Sequence, residues 1–108
     1  MTATLPNKRS VKALVDSGAT FSKMPADVLR KLKVKPSFSA KVKLGDGRVV
    51  SRKVGYISLK LDGHAAPVPV MFGARAETPL IGATTLEILG LAADPVRKVL
   101  VESMHLEI

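Results

Sequence analysis

Apolar residues fall in short stretches along this chain, separated by Gly, Pro and Asp, and their spacing is mostly that of strands. Val54 to Leu61 shows it most clearly, with Ile57, Leu59 and Leu61 on one face and Ser58 and Lys60 on the other. Asp62-Gly63 follows as a hairpin turn, and Val68, Val70 and Phe72 alternate beyond it. Lys41-Val42-Lys43-Leu44 alternates toward a second turn, Gly45-Asp46-Gly47. Near the start, Thr2 to Leu5 and Ser10 to Val15 form the arms of a hairpin around Pro6-Asn7-Lys8. Ala13, Leu14 and Val15, at the end of the run from Val11, read as strand buried on both faces. Val99-Leu100-Val101 is the last strand. Helical spacing occurs twice. Pro25 to Leu32 starts on Pro, carries Asp27 in its first turn and bases in its last, and puts Val28, Leu29 and Leu32 on one face. Thr84 to Glu87 fits a capping box, with Ile88 and Leu89 apolar and Gly90 as the C-terminal cap. The sum is an all-β chain with one or two short helices, of the sandwich or small-barrel kind.

Composition narrows the class. At 108 residues, with no repeat, low-complexity segment or dividing linker, residues 1–108 read as a single domain. Hydrophobic residues make up 46% and aromatics 4%, so the core must be aliphatic. No apolar stretch approaches the ~20 residues of a membrane span. The start, Met1-Thr2-Ala3-Thr4-Leu5-Pro6, lacks the layout of a secretory signal. Without cysteine there is no disulfide framework and no thiol nucleophile, which fits a reducing compartment; a cytoplasmic setting is the expectation. His64 and His105 show no metal-ligand spacing and read as surface residues, so no metal or cofactor is expected.

The net charge of +8 raises the question of an anionic partner. Arg30, Lys31, Lys33, Lys35, Lys41 and Lys43 occur with no acidic residue between Val28 and Gly45. Nucleic acid is a poor fit, because stacking aromatics are scarce and no recognised binding motif is present. The run reads as a solvated basic face that can bias substrate choice toward acidic flanking sequence.

The chemistry concentrates at Asp16-Ser17-Gly18-Ala19, which puts one carboxylate at the end of an apolar strand where the backbone turns sharply. Gly18 permits close backbone approach, and Ser17 adds a hydroxyl beside the acid. The tetrapeptide alone also fits an ordinary Asx turn. The wider chain favours the chemical reading, because Leu14-Val15-Asp16-Ser17-Gly18-Ala19-Thr20 resembles the active-site segment of the retropepsin-like aspartic proteases. Pro79-Leu80-Ile81-Gly82-Ala83 through Gly90-Leu91 looks like that family's second signature, two apolar residues and Gly followed by a short helix. Lys43-Leu44-Gly45-Asp46-Gly47-Arg48 falls where the family places its mobile flap, and Asp62 to Gly73 matches the turn and strand that follow.

The resemblance implies a closed small β-barrel or sandwich and an aspartic endopeptidase. Such chemistry needs two carboxylates sharing one proton. One Asp-Ser-Gly per chain then implies a C2 homodimer with the site on its axis. Asp16 of one chain would activate water while its mate polarises the scissile carbonyl of a polypeptide substrate. Ser17 would brace the two loops across the axis, Gly18 would admit substrate backbone, and Ala19 and Thr20 complete the loop. Leu44, Gly45, Asp46, Gly47 and Arg48 would close as the flap. Leu14, Leu80 and Ile81 would line the pocket, although for Ile81 core packing is the stronger reading. Asp27, Asp46, Asp62 and Asp94 read as turn, capping or surface residues. Retroviral members usually pair an acid after Gly-Ala with an Arg after the second Gly. Here Thr20 and Ala83 are both neutral, which points toward a cellular or prokaryotic relative. Lys23 stands where those members usually have a small apolar residue, so the register shifts locally or a positive charge edges the pocket. Two rival readings stand beside the enzyme: a peptide-binding dimer that cuts slowly or not at all, and a basic β-domain that binds nucleic acid.

Overall fold

The computed structural model describes residues 1–74, 77–97 and 99–103. Its strands are β1 (Thr2–Thr4), β2 (Ser10–Lys12), β3 (Leu14–Val15), β4 (Ser22–Pro25), β5 (Phe38–Lys43), β6 (Val49–Leu61), β7 (His64–Gly73), β8 (Leu80–Ile81), β9 (Leu91–Asp94) and β10 (Val99–Glu102). Two short helices, α1 (Ala26–Lys31) and α2 (Ala83–Leu89), interrupt them. The expected mostly-β architecture is therefore present.

β6 is the longest strand and organises the rest. It pairs antiparallel with β7 from Val54↔Met71 to Leu61↔His64. Asp62 (φ 50°) and Gly63 (φ 81°) close that hairpin. Two consecutive positive φ values make a type I′ turn, whose twist suits the flanking strands. The alternation is realised in burial, since Ile57, Leu59 and Leu61 are all in the core. The first half of β6 instead pairs with β5, from Phe38↔Val54 to Lys43↔Val49, and projects as a two-stranded arm. Val50 and Arg52 are half-buried and Val54 is buried, so the inward phase flips near Gly55. A side chain at Gly55 would meet the Lys35 carbonyl oxygen at 2.8 Å, because the segment after α1 passes directly over it.

The main sheet has eight strands, ordered β2-β1-β6-β7-β4-β8-β3, with β5 attached to β6. Its end strands β2 and β3 are separated in the chain by Ala13 alone, so the sheet must curl around the core. That core is aliphatic, as the composition requires, with Met24, Leu29, Leu59, Leu61, Val68, Val70 and Ile81 among its fully buried members. Each such side chain contributes roughly 1.5–3 kcal/mol relative to exposure. α1 begins after Pro25 and buries Val28 and Leu29. β9 and β10 form a separate two-stranded sheet, closed at its base by the Ser103 N–H donating to the Gly90 carbonyl at 2.8 Å.

Two expectations need correction. Leu14 is not buried on both faces. Ala13 is buried and Val15 half-buried, but Leu14 is 61% exposed, because β3 is an end strand covered on one side only. The capping box at Thr84 to Glu87 does not form either. α2 starts two residues earlier, with Gly82 at its N-cap and no side-chain cap, while Gly90 closes it in the left-handed conformation as expected. The first helical N–H groups find another acceptor, described below.

Candidate active site

Asp16 emerges from β3, whose parallel partner is β8 in the register Leu14↔Leu80 and Val15↔Ile81. The pairing continues to the acid itself, where the Asp16 N–H donates to the Ile81 carbonyl at 2.9 Å. The chain then turns. Gly18 N–H donates to Asp16 Oδ1 at 3.0 Å and Ala19 N–H to the Asp16 carbonyl at 3.1 Å. An Asx turn is thus present, and it fixes the carboxylate rather than excluding a chemical role. Asp16, Ser17 and Gly18 are exposed, and no cation is paired with Asp16 among the described residues.

The loop is held from behind by α2. Ala83 N–H donates to the Ala19 carbonyl at 2.7 Å and Thr84 N–H to the Thr20 carbonyl at 3.0 Å. These bonds satisfy helix N-terminal donors that a side-chain cap would otherwise serve. They also tie together the two segments that lack a charged pair at Thr20 and Ala83. Beneath them lies a polar pair that sequence reasoning missed. Gly82 N–H donates to Ser22 Oγ at 3.0 Å, and Ser22 Oγ shares a hydrogen bond with Thr85 Oγ1 at 2.5 Å, both residues being fully buried. Ser22 and Thr85 lie 63 residues apart, so no local signal pairs them. Gly82 itself has no room for a side chain, since a methyl there would lie 2.6 Å from the Phe21 carbonyl carbon and oxygen.

A cavity of about 410 Å³ opens between this loop and the β5 arm, lined by Gly18, Ala19, Thr20, Phe21, Lys41, Val42, Lys43 and Met71. Three of the loop residues named from sequence are therefore brought against the arm; Phe21, Val42 and Met71 were not anticipated. Phe21 stacks at a tilt on Phe38, and Phe38 on Tyr56, each pair 6.3 Å between ring centres. That chain of rings joins the loop to the base of the arm.

The turn expected to serve as a flap, Gly45-Asp46-Gly47, is at the tip of the arm. Leu44 N–H donates to the Arg48 carbonyl at 2.8 Å, and Gly47 takes φ 89°. Arg48 donates from its backbone N–H and from Nε to Asp46, and these bonds hold the Asp46 carboxyl below its ordinary pKa. Leu44 is half-buried, and Gly45, Asp46, Gly47 and Arg48 are exposed. Of the pocket residues, Leu80 is half-buried and Ile81 fully buried in the core. Leu14 faces a different cavity of about 480 Å³, shared with Met1, Val15, Pro95, Val99 and Leu100.

The other acids take local roles. Asp94 accepts from the backbone of Val96 and Arg97 and from Arg97 Nε; the Arg97 side chain is the main cause lowering its pKa. Asp27 is in the first turn of α1 but caps nothing, and its Oδ1 is buried without a hydrogen-bond partner. Lys23 sits in regular register opposite Met71 and Leu80, and its Nζ lies 3.4 Å from Glu77 Oε2. The strand pairing is continuous here, and Glu77 answers the charge. Glu77 also accepts from Ala74 N–H at 2.9 Å, the main reason its pKa is lowered, with Lys23 and Arg52 adding. His64 is half-buried with Nε2 3.6 Å from Glu102, linking the two sheets; His105 lies outside the described residues. No grouping of metal-ligating side chains occurs among the described residues. None of the described helices is long and apolar enough to cross a membrane.

A curled sheet carrying Asp-Ser-Gly-Ala at a strand exit, backed by a short helix and faced by a hairpin arm, is the architecture of the small aspartic proteases. The family description "gag-polyprotein putative aspartyl protease" matches residues 2–88, and the chain belongs to that retropepsin-like family. Solved structures agree on the fold. The solution structure of simian foamy virus (mac) protease is similar with a TM-score of 0.62 at 22% identity, over 80% of this chain and 89% of that one. EIAV protease complexed with the inhibitor HBY-793 gives 0.63 at 18%, over 83% and 86%. The foamy viral protease-reverse transcriptase in complex with an RNA/DNA hybrid gives 0.64 at 16%, over 80% of this chain and 11% of that one. No curated protein sequence matches significantly.

Proposed function

We propose that this chain is one domain, its curled sheet closed as a small barrel, and one half of a homodimeric aspartic endopeptidase. The observation that carries the reading is the single Asp16 carboxylate at the exit of β3, exposed and without a cation partner among the described residues. An acid held in a hydrogen-bonded turn but left open on one side is suited to meeting its own copy across a two-fold axis. Two carboxylates about 3 Å apart cannot easily both ionise, so the pair keeps one proton. The ionised Asp16 takes a proton from water as the oxygen attacks the scissile carbonyl. The protonated mate donates to the carbonyl oxygen. The resulting gem-diol collapses as a proton passes to the leaving amine, and no covalent enzyme intermediate forms. Ser17 braces the two loops, Gly18 admits the peptide backbone, and Ala19 and Thr20 hold the loop on α2 through their carbonyls. Leu44 to Arg48 close over the peptide, while Leu80 and Ile81 hold β8 against β3 beneath the loop. Leu14 faces a different cavity and is not assigned to the substrate pocket. The test is a peptide-library digest by the wild type beside Asp16→Asn, with a statine-type inhibitor as control. Cleavage that the inhibitor blocks and the variant lacks is expected. Equal cleavage by a clean Asp16→Asn preparation would assign the chemistry elsewhere.

A further inference from the structure

The cavity beside the Asp16 loop has an unusual wall. Lys41 and Lys43 both line it, flanking Val42, and both are exposed. Residues two apart on a strand share a face and are separated by about 7 Å. Neither lysine is in an ion pair among the described residues, whereas Lys23, Arg48 and Arg97 each have a carboxylate partner. On β6, Lys53 is opposite Ser39 and so lies diagonally across from Lys41. Its charge adds to the same exposed face. Like charges gathered on one face of a two-stranded ribbon raise its positive potential and attract an anionic partner. The rest of the lining is Gly18, Ala19, Thr20, Phe21, Val42 and Met71. Val42 lies on the other face of β5, so the two lysines edge the groove from the exposed face of the strand.

We infer that this groove selects polypeptide segments bearing carboxylates two residues apart, held by Lys41 and Lys43. The inference rests on the peptidase reading above. An extended peptide repeats its side chains with the same period as β5, so an acid-x-acid segment meets both lysines where adjacent acids meet one. The competing explanation is that edge-strand lysines only guard a free edge against pairing; that role predicts no preference among peptides.

The experiment compares three peptides built on one cleavable sequence. They carry Asp at positions i and i+2, Asn at those positions, or Asp at i and i+1. kcat/KM is measured at roughly 0.05 M and 0.5 M salt, for the wild type and for Lys41→Glu/Lys43→Glu, with melting curves and sedimentation confirming fold and assembly. The wild type should favour the alternating acidic peptide over the Asn peptide by about four-fold or more at low salt, roughly two-fold or more per contact. The preference should shrink at high salt and be lost or reversed in the double variant. Single Lys41→Gln and Lys43→Gln variants, each expected to lose about half of the logarithmic preference, cover a double variant that fails to fold. Equal rates on acidic and Asn peptides, or a preference that survives loss of the lysines, would overturn the proposal. So would an oligodeoxynucleotide bound through the same lysines more tightly than the acidic peptide. If no peptide is cut at all, the peptidase reading fails separately. Fluorescence anisotropy of the labelled alternating peptide then decides the groove: lysine-dependent binding supports it and absence of binding overturns it.

Discussion

At the scale of single residues, two side chains divide chemistry from scaffold. Asp16→Asn is nearly isosteric and keeps an acceptor for the Gly18 N–H, so the fold should survive while the base is lost. Cleavage should fall to background with the melting temperature unchanged or higher, read by peptide turnover beside differential scanning calorimetry. Ser22 has the opposite character. Ser22→Ala leaves the Gly82 N–H and the Thr85 hydroxyl without their partner in a fully buried place. The cost should be about 1–3 kcal/mol, read by denaturant unfolding. Thr85→Val should cost less, because Ser22 can still accept from Gly82.

At the scale of elements, the joint between the Asp16 loop and α2 is the critical contact. It is made almost wholly by backbone, through the Ala19 and Thr20 carbonyls and the Ala83 and Thr84 N–H groups. Gly82→Ala drives a methyl into the Phe21 carbonyl and should push the loop off the helix. A destabilisation of about 1–3 kcal/mol is expected, together with a fall in kcat larger than any change in KM, measured by steady-state kinetics. The turns carry a separate, pH-linked contribution. Asp46, Glu77 and Asp94 all have pKa values lowered by hydrogen bonds that their ionised forms accept. Their stabilisation is complete above the unfolded carboxylate range near pH 4 and is lost as pH falls through the lower folded values. Thermal melts should therefore be flat from neutrality to about pH 5 and decline below pH 4. Glu77→Gln should flatten part of that decline.

At the scale of the whole molecule, the proposed dyad would make one chain an incomplete catalyst. The chain has a single Asp-Ser-Gly and a two-stranded arm that projects from the sheet with its tip exposed. Leu14, two residues before Asp16, is also exposed, as is Val99, with which it shares a cavity. Specific activity should accordingly rise with protein concentration and follow the dimer fraction measured by sedimentation velocity. Robust cleavage by a species that remains monomeric would contradict the shared dyad.

Much of this protein is written locally. The Asp62-Gly63 turn, the alternation of Ile57, Leu59 and Leu61, the helix after Pro25 and the Gly90 cap each follow from residues within one turn or strand of each other, and each is realised. The Asp-Ser-Gly-Ala segment is equally visible, because a short motif with fixed spacing needs no partner to be recognised. What the sequence alone misplaced depended on distant segments. Leu14 is exposed because β3 ends the sheet, a matter of strand order rather than of hydropathy. Thr84 caps nothing because the helix donors reach carbonyls more than sixty residues earlier in the chain. Ser22 and Thr85 meet only once β4 and α2 are packed together. Lys41 and Lys43 become the wall of a groove only when the β5 arm is laid beside the loop after Asp16. Local chemistry determined the elements and the acid; packing between elements distant in sequence decided what surrounds that acid, because burial and hydrogen-bond partners are properties of the assembled surfaces.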